Sequence, residues 1–253
     1  MNKGWHLATV KAVKRETGDV KTFALQPVNG FRFLAGQHID VRLTAPDGYQ
    51  AQRSYSIASA PEHAPQVDIT IELLEDGEVS PYFHYVVEPD DQIEIRGPIG
   101  GPFTWRAKPN MKLLLVGGGS GIVPLMSMLR HRAAAGMAEK IPAVLLYSSR
   151  TEHHIIYRDE LDDMDAADDN LSVLHTLTRH QPPGWTGRRR RVDVELMRDA
   201  LETLDDLDSE ANGDTVCYIC GPSDFVENVA NYAVELGITP ENIRTERFGP
   251  TGT

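Results

Sequence analysis

The chain has 253 residues, 41% of them hydrophobic and 25% charged, with a formal net charge of −12 and two cysteines. This is the composition of a globular protein long enough for two domains of ordinary size. The acidic balance excludes general nucleic-acid binding, which needs a basic face, and two cysteines are too few for an iron–sulfur cluster with four ligands. No stretch approaches 18 uninterrupted apolar residues, and the opening MNKGWHLATVKAVKRE lacks the apolar core of a signal peptide. A cytoplasmic location without membrane insertion is therefore expected.

Residues 1–108 carry 11 basic and 14 acidic side chains, whereas the remainder carries 14 and 23. Within this first part short alternating segments recur: Trp5–Val13, Thr22–Leu25, Gln37–Leu43, Val67–Leu73 and Ile93–Arg96. Turn signals separate them at Thr17-Gly18-Asp19, Asn29-Gly30, Pro46-Asp47-Gly48 and Glu75-Asp76-Gly77. About six short strands at this spacing predict a small antiparallel barrel. One short helix is expected from Ser80, with Ser80 as N-cap and Pro81 at the first helical position. The segment from Gly97 to Pro109 reads as the barrel's exit, which divides the chain into 1–108 and 109–253.

Beyond that boundary strands and helices alternate. Strands are expected at Lys112–Val116, Ile141–Tyr147, Leu171–Leu177, Val216–Cys220 and Ile243–Phe248. Helices are expected over 122–135, 157–164, 193–203 and 223–236. Such alternation predicts a doubly wound parallel sheet with helices on both faces and ligands at the carboxyl ends of its strands. The acidic run Asp162–Asp169 reads as solvated surface.

The first strand of this half ends in Gly117-Gly118-Gly119, followed by Ser120, Gly121 and Pro124. Glycines let a ligand approach bare backbone, and the following helix turns free N–H groups and its positive dipole end towards it. A purely structural turn is the alternative. The G-x-G-x-x-G fingerprint is incomplete because Ile122 holds its third position, and no Gly-Lys-Ser/Thr follows, which excludes a P-loop.

Four further groups stand out. Arg53-Ser54-Tyr55-Ser56, placed between two barrel strands, offers a cation for phosphate and an aromatic plane for a flat ring, or is a plain strand with an exposed arginine. Gly77-Glu78-Val79-Ser80 is a turn leading into a helix start, where anions bind. Cys217 and Cys220 lie three apart on a strand, so their side chains face opposite ways and do not form a redox pair. Glu246-Arg247-Phe248 closes the last strand. His153-His154 lacks a third ligand, and no metal is expected.

GGGxGIxP at 117–124, RxYS at 53–56, GxxS at 77–80, Cys220-Gly221-Pro222 and Glu246-x-Phe248 together resemble the ferredoxin–NADP reductase family, in the family's order. The resemblance implies a flavin-binding antiparallel β-barrel followed by a nicotinamide-nucleotide-binding α/β domain. It implies FAD, with FMN the lesser alternative, held by Arg53, Tyr55, Ser56, Gly77, Val79, Ser80 and Phe248. It places the nicotinamide nucleotide on Gly117, Gly118, Gly119, Ser120, Gly121, Gly221 and Pro222, with Ser56, Cys220 and Glu246 around the hydride-transfer position. Five residues follow Phe248, where plant-type members stop at a tyrosine; the bacterial type is the better likeness.

Ser149-Arg150 after the second strand, with Arg158 further on, matches the NADP-binding members and favours NADPH over NADH, although Glu152 stands close by. A separate ferredoxin or oxygenase component is the implied acceptor. Arg188–Arg191 is either a docking patch for it or a solvated loop. Reduction of free flavin, ferric chelates or quinones is an alternative, as is a subunit that works only within a larger complex. The dihydroorotate-dehydrogenase accessory subunits are relatives of that second kind, but this chain lacks their cysteine cluster.

Overall fold

The computed structural model describes residues 4–108, 110–207 and 214–248. Pro109 and the five residues after Phe248 lie outside these. Alternation in the first half produces six strands: β1 (His6–Arg15), β2 (Val20–Pro27), β3 (His38–Thr44), β4 (Gln50–Ser56), β5 (Val67–Glu72) and β6 (Gln92–Ile99). They form an antiparallel sheet in the order β4-β3-β6-β1-β2-β5. Past its end β4 meets β5, where Ile57 bridges Ile69 and the Ala58 N–H donates to the Asp68 carbonyl at 2.7 Å. This contact closes the sheet into a barrel. Val10, Phe23, Ile39, Ile69 and Ile95 fill its interior with no measurable exposure, each such side chain contributing about 1.5–3 kcal/mol of burial. The short helix α1 (Ser80–Tyr85) inserts Phe83, which meets Phe23 edge-on at 5.0 Å between centroids.

Two local expectations are corrected here. The Arg53–Ser56 stretch does not lie between strands but forms the end of β4. Ser80 is the first residue of α1 rather than its N-cap, which is Val79. The Ser80 hydroxyl instead accepts the Leu74 N–H at 3.1 Å, because the tight turn at Gly77 brings Leu74 back against it.

The second half contributes β7 (Lys112–Gly118), α2 (Ile122–Ala134), β8 (Ala143–Ser149), α3 (Arg158–Ala167), β9 (Leu171–Leu177), α4 (Val194–Leu207), β10 (Thr215–Pro222), α5 (Ser223–Glu235) and β11 (Ile243–Phe248). The sheet runs β11-β10-β7-β8-β9, and all neighbours are parallel. β7 and β8 are buried along their whole length, as strands covered on both faces must be. Alternate residues divide between the faces: Leu113, Leu115 and Leu145 pack with α2 and α3, Leu114, Val116 and Leu146 with α4 and α5. Cys217 and Cys220 fall in opposite layers, both as free buried thiols.

The two sheets share one core layer, since Val20, Ala35, Ala58, Phe103 and Trp105 join the cluster beneath α2. From α2, Ser127 Oγ donates to the Ser59 carbonyl at 2.7 Å. Behind it the buried Arg132 guanidinium donates to the carbonyls of Ile141, Ala138 and Asn170 at 2.6, 2.8 and 2.9 Å and pairs with Asp168. No helix among the described residues is long and apolar enough to cross a membrane.

Candidate active site

A cleft of about 690 Å³ lies along the seam between the two sheets. Tyr55, Ser56, Thr70 and Glu72 wall it from the barrel, and Ser120, Arg150, Pro222 and Phe248 from the opposite side. Two narrower recesses adjoin it: one of about 220 Å³ beside the glycine loop, and one of about 70 Å³ beside the start of α1. A larger groove of about 940 Å³ elsewhere on the barrel, between Phe31, Phe33, Pro61 and Pro98, contains none of the site residues expected from the sequence.

On the barrel side β4 projects Arg53, Tyr55 and Ser56 towards the seam. Tyr55 is half-buried, leans on Phe83 at 6.2 Å, and burial raises its hydroxyl well above the ordinary tyrosine range. Arg53 shares the smaller recess with Gly77, Val79 and Ser80, and its guanidinium approaches Glu78 at 3.8 Å. A Cβ on Gly77 would come within 3.0 Å of the Leu74 carbonyl and 3.1 Å of Ser80 Oγ, so a side chain here would crowd the turn. An arginine, an aromatic face and a bare-backbone turn together fit a flat ligand carrying phosphates.

Across the seam β7 delivers the glycine loop. Gly119 holds a positive φ of 56°, and the Tyr147 hydroxyl fixes it by donating to its carbonyl at 3.1 Å. Gly118 lies on the Phe225 ring, and Gly121 packs backbone to backbone against the end of β10. Ser149 Oγ is buried in the adjoining recess without a hydrogen-bond partner, next to the exposed Arg150. Bare backbone, an unsatisfied hydroxyl and a cation fit a nucleotide phosphate or ribose.

Between these halves Ser56 Oγ donates to Glu246 Oε1 at 3.1 Å, joining β4 to β11. Glu246 is the register partner of Cys220. Burial pushes the Glu246 carboxyl above its ordinary value, a shift that the Ser56 hydrogen bond partly offsets. Burial first, and Glu246 second, push the Cys220 thiol up, so it stays neutral. Cys220 and Glu246 stand behind the cleft wall, and Gly117, Gly121 and Gly221 form the backbone supporting it.

Arg158 is not brought to the nucleotide recess. As the first residue of the acidic helix α3 it pairs with Glu152 and, at 3.7 Å, with Asp162, facing a separate polar hollow beside Lys14 and Arg15. The basic run is largely engaged locally: Arg188 pairs with Asp199 at 3.0 Å, Arg190 with Asp193 at 3.3 Å, and Arg189 donates to the Trp185 carbonyl. Thr70, Glu72 and Thr178 line the seam although sequence reasoning did not select them. Next to Thr178, the main-chain N–H of the exposed Arg179 donates to the Arg150 carbonyl at 2.9 Å. A signal for Thr178 and Arg179 existed in their place after β9, at the carboxyl edge of a parallel sheet. Among the described residues no group of three or more His, Cys, Asp or Glu side chains is set to hold a metal ion.

Residues 7–104 match the oxidoreductase FAD-binding domain family and residues 115–231 the oxidoreductase NAD-binding domain family. Over 249 residues the chain is 34% identical to ferredoxin–NADP reductase B of Sorangium cellulosum, covering 95% of this chain and 96% of that protein. The chain belongs to the ferredoxin–NADP reductase family. It is thus an NAD(P)H-dependent flavoprotein oxidoreductase that binds FAD. A second family relative, a glycine betaine monooxygenase reductase subunit of Pseudomonas aeruginosa, is 32% identical over 98% of this chain but only 65% of its own length. Among solved structures, a ferredoxin NADP+ reductase from Neisseria gonorrhoeae with bound FAD and NADP shares the fold, with a TM-score of 0.78 at 22% identity over 98% of this chain and 99% of that one.

Proposed function

We propose that this reductase takes hydride from NADPH and delivers the electrons to a separate protein acceptor in the cytoplasm, a ferredoxin or an oxygenase component. The carrying observation is the Ser56–Glu246 contact with Cys220 beside it, set between the Tyr55 face and the glycine loop. In this reading residues 1–108 form the FAD unit and 109–253 the nucleotide unit. Bound FAD supplies the hydride acceptor and the means of passing electrons on singly.

The protein's own groups bind and orient. Arg53 and the Gly77–Ser80 turn, with Val79, hold the flavin's phosphates, and Tyr55 and Phe248 flank its ring. Gly117–Gly121, with Ser120, and Gly221-Pro222 cradle the nicotinamide nucleotide. Ser56 donates a hydrogen bond towards the reacting flavin edge and exchanges it with Glu246. The neutral Cys220 thiol backs the wall of the nicotinamide pocket without adding charge. Ser149 and Arg150, backed by Arg179, receive the 2′-phosphate; a charge-assisted hydrogen bond there is worth about 1.5–3 kcal/mol, roughly tenfold to a hundredfold in favour of NADPH. The relatives named as a ferredoxin reductase and a monooxygenase reductase subunit support the choice of acceptor.

Anaerobic stopped-flow of the FAD-loaded protein against NADPH and NADH tests this directly. Rapid flavin bleaching by NADPH and slower bleaching by NADH are expected, the difference shrinking in Arg150→Ala. Equal rates in the wild type would remove the NADPH preference, and a protein that takes up no FAD would overturn the reading as a whole.

A further inference from the structure

Behind the cleft, Tyr157 adopts a left-handed backbone with φ 60° and ψ 28°. Among the described residues the other non-glycine residues with positive φ are Asp90 and Asn110, types that accept this region readily, whereas a tyrosine there is uncommon and held by its surroundings. Its side chain is 2% exposed, and Arg130 lies over its ring at 4.8 Å. The Tyr157 hydroxyl donates to Thr70 Oγ1, a cleft-lining residue of β5. Thr70 and Thr22 are 2.7 Å apart, and Thr22 donates to Glu16 at 2.8 Å. The protons therefore have one consistent order, Tyr157 to Thr70 to Thr22 to Glu16, with each threonine hydroxyl accepting once and donating once. Arg130 adds a second tie: it donates to the Ala58 carbonyl at 2.8 Å and forks onto Glu160 at 2.7 and 2.6 Å.

These ties start from both segments that carry the nucleotide side of the cleft. Arg130 stands on α2, which leaves the glycine loop, and Tyr157 ends the loop that begins at Arg150. They finish on the barrel at Thr70 and at Ala58, two residues past Ser56. We infer that Tyr157 and Arg130 are positioning residues that lock the nucleotide loops to the flavin wall and so set the hydride donor–acceptor approach. This rests on the hydride-transfer reading above. Placement errors of about 1 Å cost up to a hundredfold in rate, so the latch need move very little to matter.

The test compares wild type with Tyr157→Phe, which removes only the hydroxyl, and Arg130→Lys, which keeps the charge but loses the fork. FAD-loaded proteins are reduced anaerobically by NADPH and by NADPH deuterated at the transferred position, at several temperatures. Expected for both variants are FAD content and NADPH affinity within about twofold of wild type, a limiting bleaching rate lower by on the order of tenfold, and an isotope effect that becomes temperature-dependent. Tyr157→Phe combined with Thr70→Val should be no slower than Thr70→Val alone. An unchanged limiting rate and isotope effect, or a loss confined to melting temperature and FAD content, would overturn the assignment. A wild type that NADPH does not bleach would show that the hydride-transfer reading itself has failed, and the latch with it.

Discussion

Adding one methyl group at Gly121 should separate the glycine loop from the strand behind it. The Gly121 backbone has an ordinary helical φ of −60°, so alanine is not barred by conformation. It is barred by space: a Cβ would lie 2.1 Å from the Cys220 carbonyl oxygen, 2.5 Å from its carbon and 2.8 Å from the Gly221 nitrogen. All three are main-chain atoms, so no side chain can swing aside, and the loop and the end of β10 must part by about 1 Å. Forced overpacking of this kind costs about 1–3 kcal/mol and occasionally more. In a chain of this size each kcal/mol lowers Tm by about 2–4 °C. Gly119 is the control, because a Cβ there meets open space and only the positive φ opposes it, at about 1–2 kcal/mol. Calorimetry should show Gly121→Ala the less stable of the two, and stopped-flow should show its flavin reduction slowed, since the displaced carbonyl belongs to Cys220. If Gly121→Ala melts no lower than Gly119→Ala and is reduced by NADPH as fast as wild type, the close packing of loop on strand is refuted.

Cys220→Ala should keep its FAD while its reduction by NADPH slows, as read by bound-flavin absorbance and stopped-flow; unchanged reduction would remove Cys220 from the pocket. Because burial raises the Glu246 carboxyl, its contribution to stability is complete below the ordinary value of 4.5 and declines as pH rises through the raised one. Glu246→Gln should abolish that decline, so that the wild type loses Tm relative to the variant as pH rises above 4.5; parallel profiles would contradict it. Arg132→Met should cost about 3–5 kcal/mol by urea unfolding, because Asp168 and three carbonyls lose a buried partner. A loss below 1 kcal/mol would show that water replaces the guanidinium.

Much of the architecture was legible because it follows from periodicity. β9 and β11 occupy the segments Leu171–Leu177 and Ile243–Phe248 that the alternation of strands with helices marks out, and α5 begins at Ser223 after Pro222, where strand hydrophobicity stops. Local strength was misjudged where tertiary contacts override it. β4 extends through Ser56 although its composition is polar, because β3 pairs with it along its whole length. Ser80 reads as a cap, but the tight turn at Gly77 brings Leu74 back to claim its hydroxyl. Within the site, Arg53, Tyr55 and the glycine loop were legible as chemistry-bearing types. Arg158 reads as a cation for phosphate, but the fold turns it onto Glu152 and Asp162, facing away from the nucleotide recess. Thr70 and Tyr157 escaped notice because a threonine in a strand and a tyrosine before a helix carry no distinctive pattern until the fold brings them together.

The position of β11 at the rim of its sheet has a consequence for how the site opens. It carries Glu246 and Phe248, yet its main chain is laddered on one side only, to β10. Strands held by a single ladder are the first to release their amides to solvent. The wall that holds the Ser56 partner should thus exchange hydrogen faster than the glycine-loop wall on β7, which is paired on both sides. The two sides of the cleft would then differ in stiffness: the nucleotide cradle is the fixed jaw, and the strand bearing the half-buried Glu246 is the yielding one.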